Sequence, residues 1–316
     1  MSGEPSYDLE DFGGVFLTSA SVLDGDAVWP GVNAYVQWFV PNGARPVSVL
    51  LMHGGGGQGA DFIRTPDGRP GWVHRFVRAG YATYVLDRPG HGRSHWNERV
   101  LGPSTPVGDY RALYPRFVEP AKHGLWREAA RHSRWPAEPL AGDRFMASQG
   151  PMATSLAASQ RHTEAIAEQL LDLTGPTIVV SHSMGAPCAW ALASIGGDRV
   201  AAVVAAEPFG HPGMVHPLGT FDNGLAAASY QGRHDPFARP VAIVTGEATW
   251  MRRSNVLAAE FVRVRSDTFE HILLEERGIT GNGHMLMSEA NSDEIADLVI
   301  AWLDANVATR TGQTAS

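Results

Sequence analysis

A serine at an abrupt strand-to-helix transition constrains the fold of this chain more than any other feature. Residues 177–180 form a β-branched run, T-I-V-V, that ends at S-H-S-M-G (181–185), and a helical pattern begins directly after it. Ser183 lies at the apex, with a small residue two positions before it (Ser181) and another two positions after it (Gly185). Such a turn needs small neighbours because its backbone is strained and passes close to adjacent segments. The pattern predicts a nucleophilic serine at the end of a buried strand.

Continuous apolar segments alternate with helical patterns along most of the chain. The segments that read as buried strands are 46–52, 81–86, 177–180, 199–206, 241–244 and 269–274. Continuous apolar strands are typical of parallel sheets that are covered on both faces. Residues 13–40 instead alternate apolar and polar positions around D-G and P-G turns, which predicts an antiparallel hairpin. Together these patterns indicate an α/β fold, a mostly parallel twisted sheet with helices on both faces.

Two stretches break this alternation. Residues 95–155 are rich in proline, arginine, histidine and aromatic residues, and regular structure resumes with a helical pattern near Ile166. Residues 209–239 are irregular, with glycine, proline and histidine. A structureless loop of the first length is uncommon inside a compact domain. We therefore expect one domain over residues 1–316, in which residues 95–155 (the first insertion) and 209–239 (the second insertion) form a cap and most of the pocket.

The composition argues against several kinds of partner. The 316 residues include 25 Lys+Arg and 33 Asp+Glu, a formal net charge of −8, and no basic run, so we expect no nucleic-acid partner. No apolar stretch reaches the length of a membrane span, so we expect no membrane partner either. The polar, acidic N-terminus shows no secretory signal, and the single cysteine, Cys188, allows no internal disulfide. These features favour a cytoplasmic location.

His284 is the expected general base for Ser183. A neutral serine hydroxyl is a weak nucleophile and needs a base within hydrogen-bonding distance. In sheets of this kind the nucleophile, the acid and the histidine follow one another along the chain, with the histidine after the last strand. His284 occupies that position at the end of G-I-T-G-N-G-H (278–284, the histidine loop). Gly281 and Gly283 give this loop the freedom to bring the imidazole to the apex.

Two glutamates compete for the role of the acid that orients the histidine. Glu207 and Glu247 each follow a buried strand between Ser183 and His284 in the chain. The commonest arrangement in this type of sheet favours Glu247, which lies one strand later. Glu207 directly ends an unbroken apolar run, where a charge is unfavourable unless it has a partner. The residues alone leave both candidates open.

A glycine-rich segment supplies candidate amides for an oxyanion hole. H-G-G-G-G (53–57, the glycine loop) follows the first long buried strand, where the amide of Gly55, or else that of Gly56, can face a developing oxyanion. The second expected donor is the amide of Met184, directly after the nucleophile at the start of a helix. A phosphate-binding role does not fit, because no G-K-[ST] follows the glycines and no G-x-G-x-x-G opens a helix.

Two further histidines lie near these motifs. His182, inside the elbow, and His91, in a turn with two glycines, are expected to have structural roles. The 13 histidines show no metal-ligand spacing such as H-E-x-x-H, so we expect no catalytic metal.

These motifs together resemble the α/β-hydrolase superfamily. H-G-G (53–55), D-R-P-G-H-G-R-S (87–94) and the S-H-S-M-G elbow occur in the family's order, and the resemblance covers roughly residues 14–305. The elbow departs from the usual G-x-S-x-G at Ser181. Within the superfamily the chain resembles a bacterial esterase subgroup through T-P-D-G-R-P-G (65–71), A-E-P (206–208) and the histidine loop.

The resemblance carries its own expectations. In that subgroup the acid follows the strand after the nucleophile strand, so the resemblance implies Glu207 rather than Glu247. It also implies an acyl-enzyme mechanism, no cofactor and a possible homodimer. We therefore expect a serine carboxylester hydrolase that acts on a small to medium, apolar or aromatic ester. The same triad would serve a lactone, amide or carbon–carbon bond hydrolase or an acyltransferase, and a more distant alternative is a non-catalytic ligand-binding protein.

Overall fold

The computed structural model describes residues 8–216, 219–222 and 233–307. The strands, in chain order, are β1 (Leu9–Thr18), β2 (Val22–Asp24), β3 (Ala27–Trp29), β4 (Asn33–Pro41), β5 (Ser48–Met52), β6 (Thr83–Asp87), β7 (Thr177–His182), β8 (Val200–Ala206), β9 (Val215–His216), β10 (Gly219–Thr220), β11 (Val241–Thr245) and β12 (Phe269–Leu273).

The helices, in chain order, are α1 (Trp72–Arg78), α2 (Glu98–Leu101), α3 (Tyr110–Phe117), α4 (Pro120–His123), α5 (Ala141–Ser148), α6 (Leu156–Glu164), α7 (Ala167–Thr174), α8 (Gly185–Gly196), α9 (Arg252–Arg263) and α10 (Ser292–Asn306). Short 3-10 turns cover Gly59–Phe62, Arg127–Arg131, Gly197–Arg199 and Leu274–Arg277.

Eight strands form one sheet in the order β1-β4-β6-β5-β7-β8-β11-β12. β4 runs antiparallel to both of its neighbours, β1 and β6, whereas all the remaining neighbours are parallel. The predicted mostly parallel sheet is confirmed, and so is the antiparallel pairing within residues 13–40. A short hairpin of β2 and β3 lies between the two paired strands, at the predicted D-G turn.

The apolar strands serve two cores because successive side chains of a strand point to opposite faces of the sheet. In β7, Val179 packs into a core covered by α6, α7, α8 and α9, whereas Ile178 and Val180 pack into a core beneath α1 and α10. Large side chains complete each core, with Trp190 of α8 on one face and Trp72 of α1 on the other. Helices therefore cover both faces of the sheet, as the continuous apolar runs predict.

One helix was not evident from the apolar pattern. Regular structure is expected to resume near Ile166, but α6 already begins at Leu156. Its buried face carries the polar side chains of Ser159, Gln160 and Thr163. Polar residues on a buried face give no apolar periodicity, which is why the pattern misses this helix.

The carboxyl ends of the central strands lie level with one another. Met52 at the end of β5 pairs with Ser181 of β7, and Ala206 at the end of β8 pairs with His182 of β7 and Val244 of β11. Residues that directly follow these strands therefore meet at one edge of the sheet, which is where ligands bind in open α/β sheets.

The first insertion contains α2 to α5 and a 3-10 turn rather than one long structureless loop. Within the second insertion, residues 217–218 and 223–232 lie outside the described residues. The organisation of residues 1–316 as one domain with two cap-like insertions stays a prediction. None of the helices in the described part of the chain combines the length and the hydrophobicity that a membrane span requires.

Candidate active site

Ser183 lies at the apex of the turn between β7 and α8, as the motif predicts. Its backbone φ is 50°, a left-handed conformation that residues other than glycine rarely adopt. Three backbone hydrogen bonds hold it there. The Ser183 amide donates to Ala206 O at 3.0 Å, and Ser183 O accepts from the amides of Ala186 at 3.0 Å and Phe209 at 3.1 Å. The turn thereby presents the hydroxyl at the carboxyl edge of the sheet.

Gly185 lets the elbow approach the neighbouring strand. A Cβ atom at this position would lie 2.7 Å from His53 O and 2.8 Å from Met52 O, both of which are backbone atoms. Ser181, by contrast, is a buried strand residue paired with Met52 and Ala205. A side chain is therefore accommodated at the first small position of the motif but not at the second.

The structure brings Ser183, His284 and Glu207 into one hydrogen-bonded row. Ser183 Oγ lies 2.9 Å from His284 Nε2, and His284 Nδ1 lies 3.3 Å from Glu207 Oε2. The tautomer with its proton on Nδ1 satisfies both contacts, because the serine hydroxyl then donates to Nε2 and Nδ1 donates to the carboxylate. This is the geometry of a nucleophile, a base and an orienting acid.

Glu207 is held by its backbone and by three donors. Its φ is 52°, and its amide donates to Val244 O at 2.8 Å. The carboxylate accepts hydrogen bonds from the Gly246 amide at 2.6 Å, the Thr249 hydroxyl at 2.5 Å and the Asn255 side-chain amide at 3.0 Å. Burial raises the pKa of Glu207, while the hydrogen bonds from these three donors lower it and favour the ionised form, which is the form that accepts a hydrogen bond from His284. The carboxyl group is thus fixed where it faces the histidine.

Glu247 has different partners. Its carboxylate accepts hydrogen bonds from Arg131 Nη1 at 3.1 Å and from the Gly281 amide at 2.9 Å. The structure therefore places Glu247 against the histidine loop and the first insertion, and it does not bring this carboxylate to the imidazole of His284.

Aromatic rings surround the imidazole of His284. Its ring centroid lies 5.5 Å from those of Phe117 and Trp250 and 4.8 Å from that of His182. Burial lowers the pKa of His284 to about 3, with an opposing contribution from the charge of Glu289. The neutral imidazole therefore predominates at neutral pH, and this is the form that can accept a proton.

A second buried carboxylate holds the histidine loop. Glu289 accepts hydrogen bonds from the Gly283 amide and the Asn282 side-chain amide, both at 2.7 Å, and His132 Nε2 lies 3.2 Å from its Oε1. His132 belongs to the first insertion, so this cluster joins that insertion to the loop that carries His284. The sequence reasoning missed Glu289, although it follows an apolar M-L-M (285–287), where a buried charge needs partners.

His182 and His91 make contacts that join backbone segments. His182 Nε2 donates to the backbone oxygen of His284 at 2.9 Å, which ties the elbow to the histidine loop. His91 Nδ1 donates to Pro89 O at 3.0 Å within its own turn. Each ring nitrogen faces a carbonyl oxygen, which fixes the tautomer in both cases.

The glycine loop and the start of α8 adjoin one another beside Ser183. A Cβ atom at Gly55 would lie 2.4 Å from Met184 Sδ, so the two residues that carry the expected oxyanion donors are neighbours. Within the described ranges, the amides of Gly55, Gly56 and Met184 donate no hydrogen bond to the protein. Free amides beside a buried serine are the groups that an oxyanion hole requires.

The site opens into a small cavity of about 30 Å³. Ser183, His284 and the glycine loop form one side, and Phe117, Phe145 and Gln149 of the first insertion form the other. The first insertion therefore lies over the carboxyl edge of the sheet. A cavity of this size has room for about one water molecule. Among the described residues, no group of three or more His, Cys, Asp or Glu side chains is arranged to hold a metal ion.

Comparison with known proteins agrees with this architecture. A probable secreted lipase, phiG, of a fungal species (strain ATCC 74256) is 28% identical over 313 residues, covering 85% of this chain and 85% of the relative. The structure of a novel bacterial esterase superposes with a TM-score of 0.67 at 22% identity, covering 97% of this chain and 99% of the esterase. A protein described as a predicted CIB-like hydrolase, from Thermoplasma acidophilum, superposes with a TM-score of 0.51 at 14% identity, covering 93% of this chain and 98% of that protein.

The model of the α/β hydrolase fold family matches residues 47–255. The matched range includes the glycine loop, the elbow and Glu207, and it ends before the histidine loop. Because the match covers more than half of the chain and the strand order agrees with it, this chain belongs to the α/β-hydrolase fold family.

Proposed function

We propose that this protein is a serine carboxylester hydrolase that works through an acyl-enzyme intermediate. The observation that carries the proposal is the buried row of Ser183, His284 and Glu207, which lies beside the free amides of Gly55 and Met184. Family membership supports hydrolase activity, and the lipase and esterase named above support an ester as the substrate.

Acylation begins at Ser183. Its Oγ attacks the carbonyl carbon of the ester, and its proton passes to His284 Nε2, which lies 2.9 Å away. Glu207 stabilises the imidazolium that forms and keeps the ring oriented through Nδ1. The amides of Gly55 and Met184 donate to the oxygen that becomes negative in the tetrahedral intermediate. His284 then protonates the departing alcohol, which leaves the acyl group on Ser183.

Deacylation repeats these steps with water. His284 removes a proton from the attacking water, and the same two amides hold the second tetrahedral intermediate. Its collapse breaks the bond to Ser183 Oγ, which takes back the proton from His284 and releases the acid. No residue outside the row and the two amides is needed for the cycle.

The small cavity favours a short acyl group. At about 30 Å³ it holds about one water molecule, so an acetyl group needs a small displacement of the first insertion and a long chain needs a larger one. Phe117 and Phe145, which line it, favour an apolar group. We therefore propose short-chain esters as substrates, with an alcohol part that lies outside this cavity.

Covalent labelling tests the proposal. A fluorophosphonate probe should label the native protein stoichiometrically, and peptide mapping by mass spectrometry should locate the adduct on Ser183. A panel of p-nitrophenyl esters of increasing chain length should show the highest kcat/KM for the acetyl or propionyl ester. A protein that binds but does not turn over these esters, and that the probe leaves unlabelled, would contradict the proposal.

A further inference from the structure

Arg88, directly after β6, is buried behind the glycine loop with 1% of its surface exposed. Its guanidinium donates through Nε to His53 O at 2.9 Å and through Nη2 to Gly54 O at 2.6 Å. A third donor, Nη1, reaches Ser159 Oγ at 3.0 Å. Two consecutive carbonyls of the glycine loop thus point at one guanidinium.

This buried charge has neutral partners. Within the described ranges no carboxylate pairs with Arg88, and its guanidinium contacts His91 Nε2 at 3.5 Å and Cys188 Sγ at 3.7 Å, while its backbone amide contacts the ring of His53. Burial, followed by the charge of Arg88, lowers the pKa of His53 and also that of His91, the latter to about 3, so both rings are neutral at neutral pH. A buried cation without an anionic partner is unfavourable for folding. Stabilisation of the fold therefore does not explain why an arginine lies at this position.

Peptide geometry links Arg88 to the oxyanion hole. The bond between Gly54 and Gly55 is trans, so the Gly54 carbonyl and the Gly55 amide point in opposite directions across one plane. Because the carbonyl points at the guanidinium, the Gly55 N–H points away from it. Within the described residues that amide has no protein acceptor.

His53 fixes the same carbonyl from a second side. The Arg88 amide donates to His53 Nε2 at 3.0 Å, so the ring carries its proton on Nδ1. Nδ1 then donates to Gly54 O at 2.8 Å. Two donors on one carbonyl oxygen leave the plane of this peptide little freedom to rotate.

We propose that Arg88 is a positioning residue of the oxyanion hole, holding the carbonyls of His53 and Gly54 so that the Gly55 amide is aimed at the oxygen of the tetrahedral intermediate. The fixed positive charge also lies one peptide unit from that oxygen, in a site with little water. Charge-assisted hydrogen bonds are the stronger kind, and a preorganised charge needs no rearrangement when the oxyanion forms. This inference rests on the proposed function.

Substitutions at Arg88 test the role, with Arg239 as the matched control. Arg88→Met removes the charge and the hydrogen bonds to both carbonyls and to Ser159, and Arg88→Lys keeps the charge but cannot reproduce the planar, two-carbonyl contact. Arg239 is also buried and donates to Gly197 O and Val200 O, both at 2.7 Å, at the opposite edge of the sheet. The measurements are kcat/KM per active site titrated with fluorophosphonate, the melting temperature, and the affinity for a trifluoromethyl ketone, whose serine adduct carries an oxyanion.

Arg88→Met should lower kcat/KM by about 10²–10³-fold, the usual loss for one oxyanion donor, with Arg88→Lys intermediate. The affinity for the ketone should fall by the same factor in each variant. Arg239→Met and Arg239→Lys should lower the melting temperature and leave kcat/KM and the affinity for the ketone unchanged.

If Arg88 has only a structural role, its substitution should lower the melting temperature and leave kcat/KM and the affinity for the ketone unchanged. Folded Arg88 variants that keep kcat/KM and ketone affinity within about twofold of the parent would overturn the inference. If Arg88→Met does not fold, the same comparison is made with Arg88→Lys alone. Ser183→Ala separates the two hypotheses. If it abolishes turnover while the Arg88 variants are fully active, only the role of Arg88 is wrong, and if it remains active, the proposed function fails as well.

Discussion

Glu207 Oε2 lies 3.3 Å from Nδ1 of His284, whereas the carboxylate of Glu247 is bound to Arg131 and to the amide of Gly281. The two glutamates follow adjacent strands of the sheet, β8 and β11. Only Glu207 is aimed along the row that ends at Ser183. The orientation of a single carboxyl group thus distinguishes two residues between which their positions in the chain do not decide, and it agrees with the residue that the family resemblance implies.

Exchange of each glutamate for glutamine tests this assignment. Glu207→Gln removes the charge that stabilises the imidazolium and favours the wrong tautomer, so kcat should fall by about 10⁴-fold, as in other serine triads. Glu247→Gln is the matched control and should change kcat by less than about tenfold, because it alters only the contacts to Arg131 and to the Gly281 amide and none to the imidazole. Steady-state hydrolysis of p-nitrophenyl acetate measures both, and the reverse pattern would assign the acid to Glu247.

The cluster around Glu289 should support activity through the histidine loop. Glu289→Gln replaces an acceptor of two hydrogen bonds by a group with one carbonyl, leaving a buried donor unsatisfied at a cost of about 1–3 kcal/mol. We expect a lower melting temperature and a lower kcat, because the loop that carries His284 loses an anchor. Thermal unfolding and ester hydrolysis measure the two effects. Asp293→Asn, which changes an exposed carboxylate in α10, should alter neither, and equal behaviour of the two variants would refute this role for Glu289.

Gly185→Ala should damage the elbow. Its new Cβ would clash with the backbone oxygens of Met52 and His53, where β5 ends and the glycine loop begins. We therefore expect a loss of about 1–3 kcal/mol in the free energy of unfolding, together with a lower kcat. At Gly150 the nearest atom to a new Cβ lies 3.8 Å away, which leaves room for a methyl group. Gly150→Ala should therefore change the free energy of unfolding by no more than about 0.5 kcal/mol. Urea unfolding measures both variants, and an equal loss of stability in the two would contradict the prediction.

Four buried histidines should make the fold sensitive to acid. Burial is the main cause that lowers the pKa values of His53, His91, His182 and His284, for His91 and His284 to about 3. In the unfolded chain a histidine has a pKa near 6.5. Between these values the unfolded chain binds protons that the folded protein does not. The free energy of unfolding should therefore fall as the pH drops from about 6.5 toward 3, by up to about 1.4 kcal/mol per pH unit for each histidine.

One carboxyl group acts with the opposite sign. Burial raises the pKa of Asp61 to about 7, so the folded protein holds this proton longer than the unfolded chain does, and the contribution is lost as the pH rises through this value. The histidines outnumber this carboxyl group, and stability should be greatest near neutral pH. Urea unfolding from pH 4.5 to 8 measures this, with His91→Gln expected to reduce the acid slope. A free energy of unfolding that rises as the pH falls from 6.5 to 4.5 would contradict the prediction.

Much of the fold could be predicted because the strands that form the core appear in the sequence as continuous apolar segments. The central parallel strands β5, β7, β8 and β11 carry long apolar runs, and their side chains pack into a core on each face of the sheet. Ser183 and His284 also carry local signals, since one lies in an elbow motif and the other follows the last strand. Where helix α6 buries polar side chains instead, the pattern gives no signal.

The remaining parts of the site depend on contacts between distant segments. Ser183 and Glu207 are the non-glycine residues with positive φ in the described part of the chain. Their residue types alone do not predict this backbone conformation. The pairing of His132 with Glu289 spans 157 residues. Arg88 follows β6 and contacts the glycine loop, which follows the neighbouring strand β5. These relationships follow from how the strand ends are arranged in space, which a local pattern does not encode.

Hydrolysis of p-nitrophenyl acetate by Ser183→Ala tests the central claim most directly. The substitution removes one buried oxygen and should leave the melting temperature nearly unchanged, so that activity and folding can be read separately. We predict that kcat falls by at least about 10³-fold and that the variant shows no initial burst of p-nitrophenol. A folded Ser183→Ala protein that hydrolyses this ester as fast as the parent would contradict the account.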